Sequence, residues 1–138
     1  MIILENPSRK EIKAILDRAK TIAVVGLSPT PSRTSFIVAE AMQRAGYRII
    51  PVNPRADTIL GEKSYATLSD IPDRVDIVNV FRRSEFLEEI ADQFLTIECP
   101  VFWTQLNVVD EKVFNRLTNA GATVIMDRCI KVEHAILK

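Results

Sequence analysis

Five short apolar runs, each followed by residues at helical spacing or by a turn, constrain this chain more than any other feature of its sequence. The runs cover 21–26, 47–52, 75–81, 100–104 and 123–127. After the first, Ile37, Val38, Ala41, Met42 and Ala45 fall on one face of a helix over 34–45, with Gly46 as its stop. Leu87, Ile90, Ala91 and Phe94 do the same over 85–95, where Ser84 is placed to cap. Val113, Phe114 and Leu117 follow a capping Asp110 and end at Gly121. A capping box, Ser8-Arg9-Lys10-Glu11, opens a leading helix over about 8–20, and 130–137 reads as a closing helical segment. Residues 55–74 are the least regular part, with Gly61, Pro72 and a short helical stretch around 66–71. Pro51 makes the end of the second strand irregular or places it near a sheet edge.

Strands that alternate with helices are parallel, joined by right-handed crossovers and covered on both faces. The reading is a single α/β domain over 1–138, doubly wound and Rossmann-like, with 1–20 leading and 128–138 closing it. Its five parallel strands are expected in the order 3-2-1-4-5. The length of 138 residues leaves room for one hydrophobic core and hardly for two. Eighteen basic and eighteen acidic residues balance, so overall charge points to neither nucleic acid nor an acidic membrane. No apolar run approaches the roughly 20 residues of a membrane span. The N-terminus lacks a basic leader, and Cys99 and Cys129 form no CxxC pair, so a reduced, cytoplasmic protein is expected.

The first strand ends in Gly26 and runs through Leu27-Ser28-Pro29-Thr30-Pro31-Ser32-Arg33 into the helix that begins with Thr34 and Ser35. A glycine there lets the backbone approach an anion, and the helix start offers unpaired N–H groups and the positive end of its dipole. An ordinary tight turn would also use a glycine, but Ser28, Arg33 and Ser35 beside it favour a phosphate site. The dinucleotide fingerprint G-x-G-x-x-G is absent, and so is any Walker A loop. Where an NAD site places an acid, after the second strand, this chain has Asn53-Pro54-Arg55. An arginine there favours a ribose with an extra phosphate, as in NADP or coenzyme A. Arg55 also reads as a surface charge after Pro54, and the two readings stay open.

Several stretches then come in a familiar order: Ala23-Val24-Val25-Gly26-Leu27-Ser28, Pro31-Ser32-Arg33-Thr34-Ser35, Pro51-Val52-Asn53-Pro54, Val80-Phe81-Arg82-Arg83, Trp103-Thr104-Gln105-Leu106 and 126–134. Together they closely resemble the small, stand-alone CoA-binding domain proteins, which are similar in turn to the N-terminal domain of the succinyl-CoA synthetase α subunit. The resemblance implies coenzyme A as ligand. It implies that Gly26, Leu27, Ser28, Arg33 and Ser35 hold the pyrophosphate, with Thr34 also in the cofactor site, and that Val52, Asn53, Pro54 and Arg55 bracket the adenosine and its 3′-phosphate. Phe81 and Arg82 would close over the ligand, with Trp103 and Gln105 toward the pantetheine arm. From position alone Trp103 reads as a core aromatic at a strand end. Two positions depart from the family: Asn107 stands where glycine is usual, and Ile136 where arginine is usual.

Cys129 and His134 invite a nucleophile-and-base reading. Five residues apart on a helix they do not share a face, so a core cysteine and a helix-end histidine are expected instead. No catalytic constellation or metal set is evident. Synthetase-type ligation resembles this chain only in its first half, needing a second domain with a phosphorylated histidine, and the chain is expected to end where that domain would begin. The leading expectation is a non-catalytic module for CoA or an acyl-CoA. The alternatives are the nucleotide domain of an NADP-dependent oxidoreductase, completed by a homodimer, and a CoA-responsive module acting on a partner protein, with Cys129 as a thiol contact.

Overall fold

The computed structural model describes residues 4–138. Along the chain run α1 (Arg9–Arg18), β1 (Thr21–Val25), α2 (Thr34–Arg44), β2 (Arg48–Val52), β3 (Thr58–Ile59) and β4 (Glu62–Lys63). Then come β5 (Ile77–Val80), α3 (Leu87–Phe94), β6 (Val101–Thr104), α4 (Glu111–Asn119), β7 (Thr123–Ile125) and α5 (Ile130–Leu137). The Ser8 hydroxyl accepts the Glu11 N–H at 3.2 Å and an Asp110 carboxylate oxygen accepts the Val113 N–H at 3.1 Å, so both expected caps form. Ser84 does not cap α3. It opens a 3-10 turn, Ser84–Phe86, and its hydroxyl accepts the Val109 N–H at 2.9 Å across to the loop after β6. The helical stretch expected around 66–71 is a single 3-10 turn, Leu68–Asp70.

β1, β2, β5, β6 and β7 form one five-stranded parallel sheet in the order β2-β1-β5-β6-β7, and β3 and β4 form a small antiparallel hairpin. Counted along the sheet's own strands the order is 2-1-3-4-5, which corrects the expected 3-2-1-4-5. The reason lies at Pro51. Having no N–H, it suits an edge strand, and its carbonyl turns outward to accept the Tyr65 N–H at 3.0 Å. Residues 53–65 thus line the outer side of β2, through the Val52–Tyr65 bridge, and the wholly buried β5 takes the central place between β1 and β6.

Helices cover both faces. Ile12, Ile15 and Leu16 of α1, Val38, Ala39 and Met42 of α2, and Ile130 of α5 share one apolar cluster with Ile22, Val24, Ile77 and Trp103. The other face packs Leu87, Ile90, Ala91 and Phe94 of α3 and Val113, Phe114 and Leu117 of α4 on Ala23, Val78, Val80 and Phe102. Phe94 meets Phe102 edge-on, with ring centroids 5.1 Å apart. Each fully buried aliphatic or aromatic side chain is worth about 1.5–3 kcal/mol against exposure, so the two clusters fix the sheet and, with it, the loops at its carboxyl end. Among the described residues no helix is long and apolar enough to cross a membrane.

Candidate functional site

Because α2 lies on one face of the sheet and α3 on the other, the connections leaving β1 and β5 diverge, and a crevice opens between them at the carboxyl ends of the strands. Gly26 sits at its floor with φ +82°, and a Cβ built there would lie 2.4 Å from the Phe81 carbonyl oxygen. Only glycine fits that approach. The neighbouring strand ends are tied together by Gly26 N–H to the Val52 carbonyl at 3.0 Å and Phe81 N–H to the Val25 carbonyl at 2.8 Å.

The loop beyond Gly26 is held by its own hydroxyls. The Ser28 N–H donates to Ser35 Oγ at 3.0 Å, and the Thr30 N–H donates to Ser28 Oγ at 3.1 Å. These bonds turn the loop onto α2, whose N-cap residue Arg33 makes no side-chain cap bond. The first N–H groups of α2 have no intrahelical acceptor at the positive end of the helix, and Thr34 and Ser35, which carry two of them, line the second cleft. The exposed Arg33 guanidinium adds a full charge there.

Two clefts meet at this point. The first has a volume of about 740 Å³ and the second about 600 Å³, and Gly26, Ser28, Arg33, Phe81 and Arg82 line both. Val52, Asn53, Pro54 and Arg55 line the first. Thr34, Ser35 and Gln105 line the second. Asn53 is spent on structure: its Nδ2 donates to the Leu27 carbonyl at 2.9 Å and its Oδ1 accepts the Arg55 N–H at 2.8 Å. It sets the course of the Pro54-Arg55 turn. Arg82 stacks over the Phe86 ring at 4.3 Å and has no ion pair among the described residues, whereas Arg83 pairs with Glu85 at 3.3 Å and lines only the second cleft. Of the two arginines, Arg82 is the one free to meet a ligand in both clefts.

Two residues expected in the site lie elsewhere. Leu27 is fully buried and contributes only its carbonyl, to Asn53. Trp103 is fully buried in the apolar cluster that α1, α2 and α5 share, lines neither cleft, and donates its Nε1–H to the Arg128 carbonyl at 3.0 Å. Its bulk holds β6 against the core and its indole N–H fixes the chain after β7. The cysteines line neither cleft. Cys129 is buried as the N-cap residue of α5, and burial pushes the Cys99 thiol up to about 12. His134 packs edge-on against Tyr47, with centroids 5.8 Å apart.

The first cleft has a wall that the sequence did not announce: Thr67 from the irregular 53–76 connection, and Phe86, Glu89 and Gln93 from the start and outer face of α3. The surplus of polar residues beside the apolar face of α3 was the one available sign. The second cleft adds Leu106, Asn107 and Val108. Asn107 has φ +67°, a left-handed conformation that asparagine adopts more readily than most side-chain-bearing residues.

Over residues 20–135 the sequence matches the family described as the CoA binding domain. The chain belongs to that family. This CoA-binding domain is 56% identical over 135 residues to uncharacterized protein YneT of Bacillus subtilis (strain 168), covering 98% of this chain and 100% of that one. A solved structure of a hypothetical protein from Pyrococcus horikoshii OT3 superposes with a TM-score of 0.92 at 32% identity, covering 99% of each chain. Acetate–CoA ligase [ADP-forming] II of Archaeoglobus fulgidus is 36% identical over 73 residues, which are 51% of this chain and 11% of the ligase. The CoA-binding domain thus has relatives of its own length, and part of it matches a small portion of a much longer enzyme.

Proposed function

We propose that this CoA-binding domain binds coenzyme A or an acyl-CoA across the two clefts and performs no chemistry by itself. The observation that carries the reading is the convergence of the α2 N-terminus, Arg33 and Arg82 above Gly26, where both clefts meet. The donor set fits a pyrophosphate: open backbone N–H groups, two guanidiniums without ion pairs among the described residues, and a floor that a Cβ would fill. Coenzyme A, when bound, supplies the thiol that carries an acyl group. The protein's own residues then hold and orient. Arg33 and the α2 amides neutralise the pyrophosphate, the Pro54-Arg55 turn flanks the adenosine, and Arg55 reads its 3′-phosphate. Gln105 and Ser35 line the cleft into which the arm extends. A partner protein would deliver or remove the acyl group.

Titration calorimetry with coenzyme A, dephospho-CoA, NADP and NAD tests this reading. Coenzyme A is expected to bind most tightly, with dephospho-CoA about tenfold weaker, a difference of about 1.4 kcal/mol. Arg55→Ala should bring the two affinities together. Preference for NADP, or no binding of any of the four, would overturn the reading.

A further inference from the structure

The loop from Gln105 to Val108, in the wall of the second cleft, is braced from the end of β7. Asn107 has φ +67° and Asp127 φ +61°, two non-glycine residues in the left-handed region. They are bonded to each other: the Asn107 N–H donates to Asp127 Oδ1 at 2.6 Å, a charge-assisted bond. The Asp127 N–H donates to Thr104 Oγ1 at 3.2 Å, and that hydroxyl donates to the Val108 carbonyl at 2.6 Å. Thr104 is fully buried at the end of β6, so the chain of bonds anchors both ends of the loop to the sheet.

Gln105 sits inside this brace. Its N–H donates to the Val80 carbonyl and its carbonyl accepts the Val108 N–H, both at 3.1 Å. The residue lines the second cleft, is 9% exposed, and its buried amide oxygen has no hydrogen-bond partner among the described residues. A buried amide oxygen left unsatisfied is costly, and so is holding two side-chain-bearing residues at positive φ. Both costs fall at one place, and a ligand that brings an N–H to the oxygen offsets the first of them.

We propose that Asp127 is a positioning residue for the second cleft: its carboxylate holds the loop so that the Gln105 amide oxygen accepts an N–H from the ligand's arm. The proposal rests on the CoA reading above, because the arm of coenzyme A beyond the pyrophosphate carries amide N–H groups. It differs from that reading in assigning a role to a residue that touches neither cleft.

Calorimetry on the full chain with coenzyme A and with adenosine 3′,5′-bisphosphate, which lacks the arm, provides the test. Asp127→Gly removes the carboxylate and keeps the left-handed backbone without strain, and Gln105→Ala removes the amide. Each is expected to weaken coenzyme A about tenfold and leave the bisphosphate unchanged, and the double variant should lose no more than Gln105→Ala alone. Asp127→Asn keeps shape and backbone but offers a neutral acceptor, so a smaller loss of about threefold is expected, again for coenzyme A only. Unchanged coenzyme A affinity in Asp127→Gly, additive losses, or an equal loss of the bisphosphate would each overturn the proposal. Should Asp127→Gly not fold, Asp127→Asn decides, and full coenzyme A affinity in it then counts against the proposal. Equal affinity of the unaltered protein for the two ligands would overturn it while the CoA reading stands. Failure to bind either ligand would end both.

Discussion

The two clefts share a floor and are built by different means. The first lies where the connections after β1, β2 and β5 diverge, and its existence follows from strand order. Arg55 and Arg82 in it are exposed and make no ion pair among the described residues, while Asn53 is tied into the turn it makes and Gln93 Oε1 accepts the Leu68 N–H at 3.1 Å. The second depends on local backbone: two residues at positive φ and a run of hydrogen bonds from Thr104 through Asp127 to Asn107. The difference teaches that one end of the crevice is a product of topology. The other is a product of loop conformation and depends on residues outside its lining.

The largest effect should come from the shared floor. Gly26→Ala forces a Cβ to within 2.4 Å of the Phe81 carbonyl at a φ of +82°, so the strand ends must part. A loss of about 2–4 kcal/mol in stability, read from the urea midpoint, is expected together with loss of coenzyme A binding. An unchanged midpoint would mean that the close approach of β1 and β5 does not define the crevice. Arg33→Ala acts at the junction without touching the core. It should cost about 1–3 kcal/mol of coenzyme A affinity by calorimetry with little change in thermal midpoint. Unaltered affinity would remove Arg33 from the site. Trp103→Phe separates framework from lining: losing the indole bond to the Arg128 carbonyl should destabilise the fold by about 1–2 kcal/mol and leave coenzyme A affinity as it was. A selective loss of affinity would place Trp103 in ligand contact after all.

Much of this could be read from the sequence, and the failures have physical causes. Apolar spacing is a local signal, so the five strands of the sheet, the helices and the Ser8 and Asp110 caps are all legible. Strand order is not local. Pro51 did mark an edge, but only the pairing of Tyr65 with the outer side of β2 shows that β5 cannot lie there. Gly26, Ser28, Arg33, Arg55, Arg82 and Gln105 come to the clefts because loops at the carboxyl ends of parallel strands must. Trp103 precedes its loop by one strand residue, and because β6 is buried on both faces its side chain packs into the core. Thr67 and Phe86 escaped because irregular segments and 3-10 turns carry no periodicity. Asp127 escaped because a positive φ at a non-glycine residue leaves no mark in composition.

The central claim, that one CoA molecule spans both clefts across the α2 N-terminus, is tested most directly by a crystal structure of the complex with coenzyme A. The account predicts the pyrophosphate within hydrogen-bond reach of the first α2 amides and Arg33, the 3′-phosphate beside Arg55, and the arm passing Gln105. A pyrophosphate seated away from Gly26 and the α2 start, or an arm leaving over β2, would contradict it.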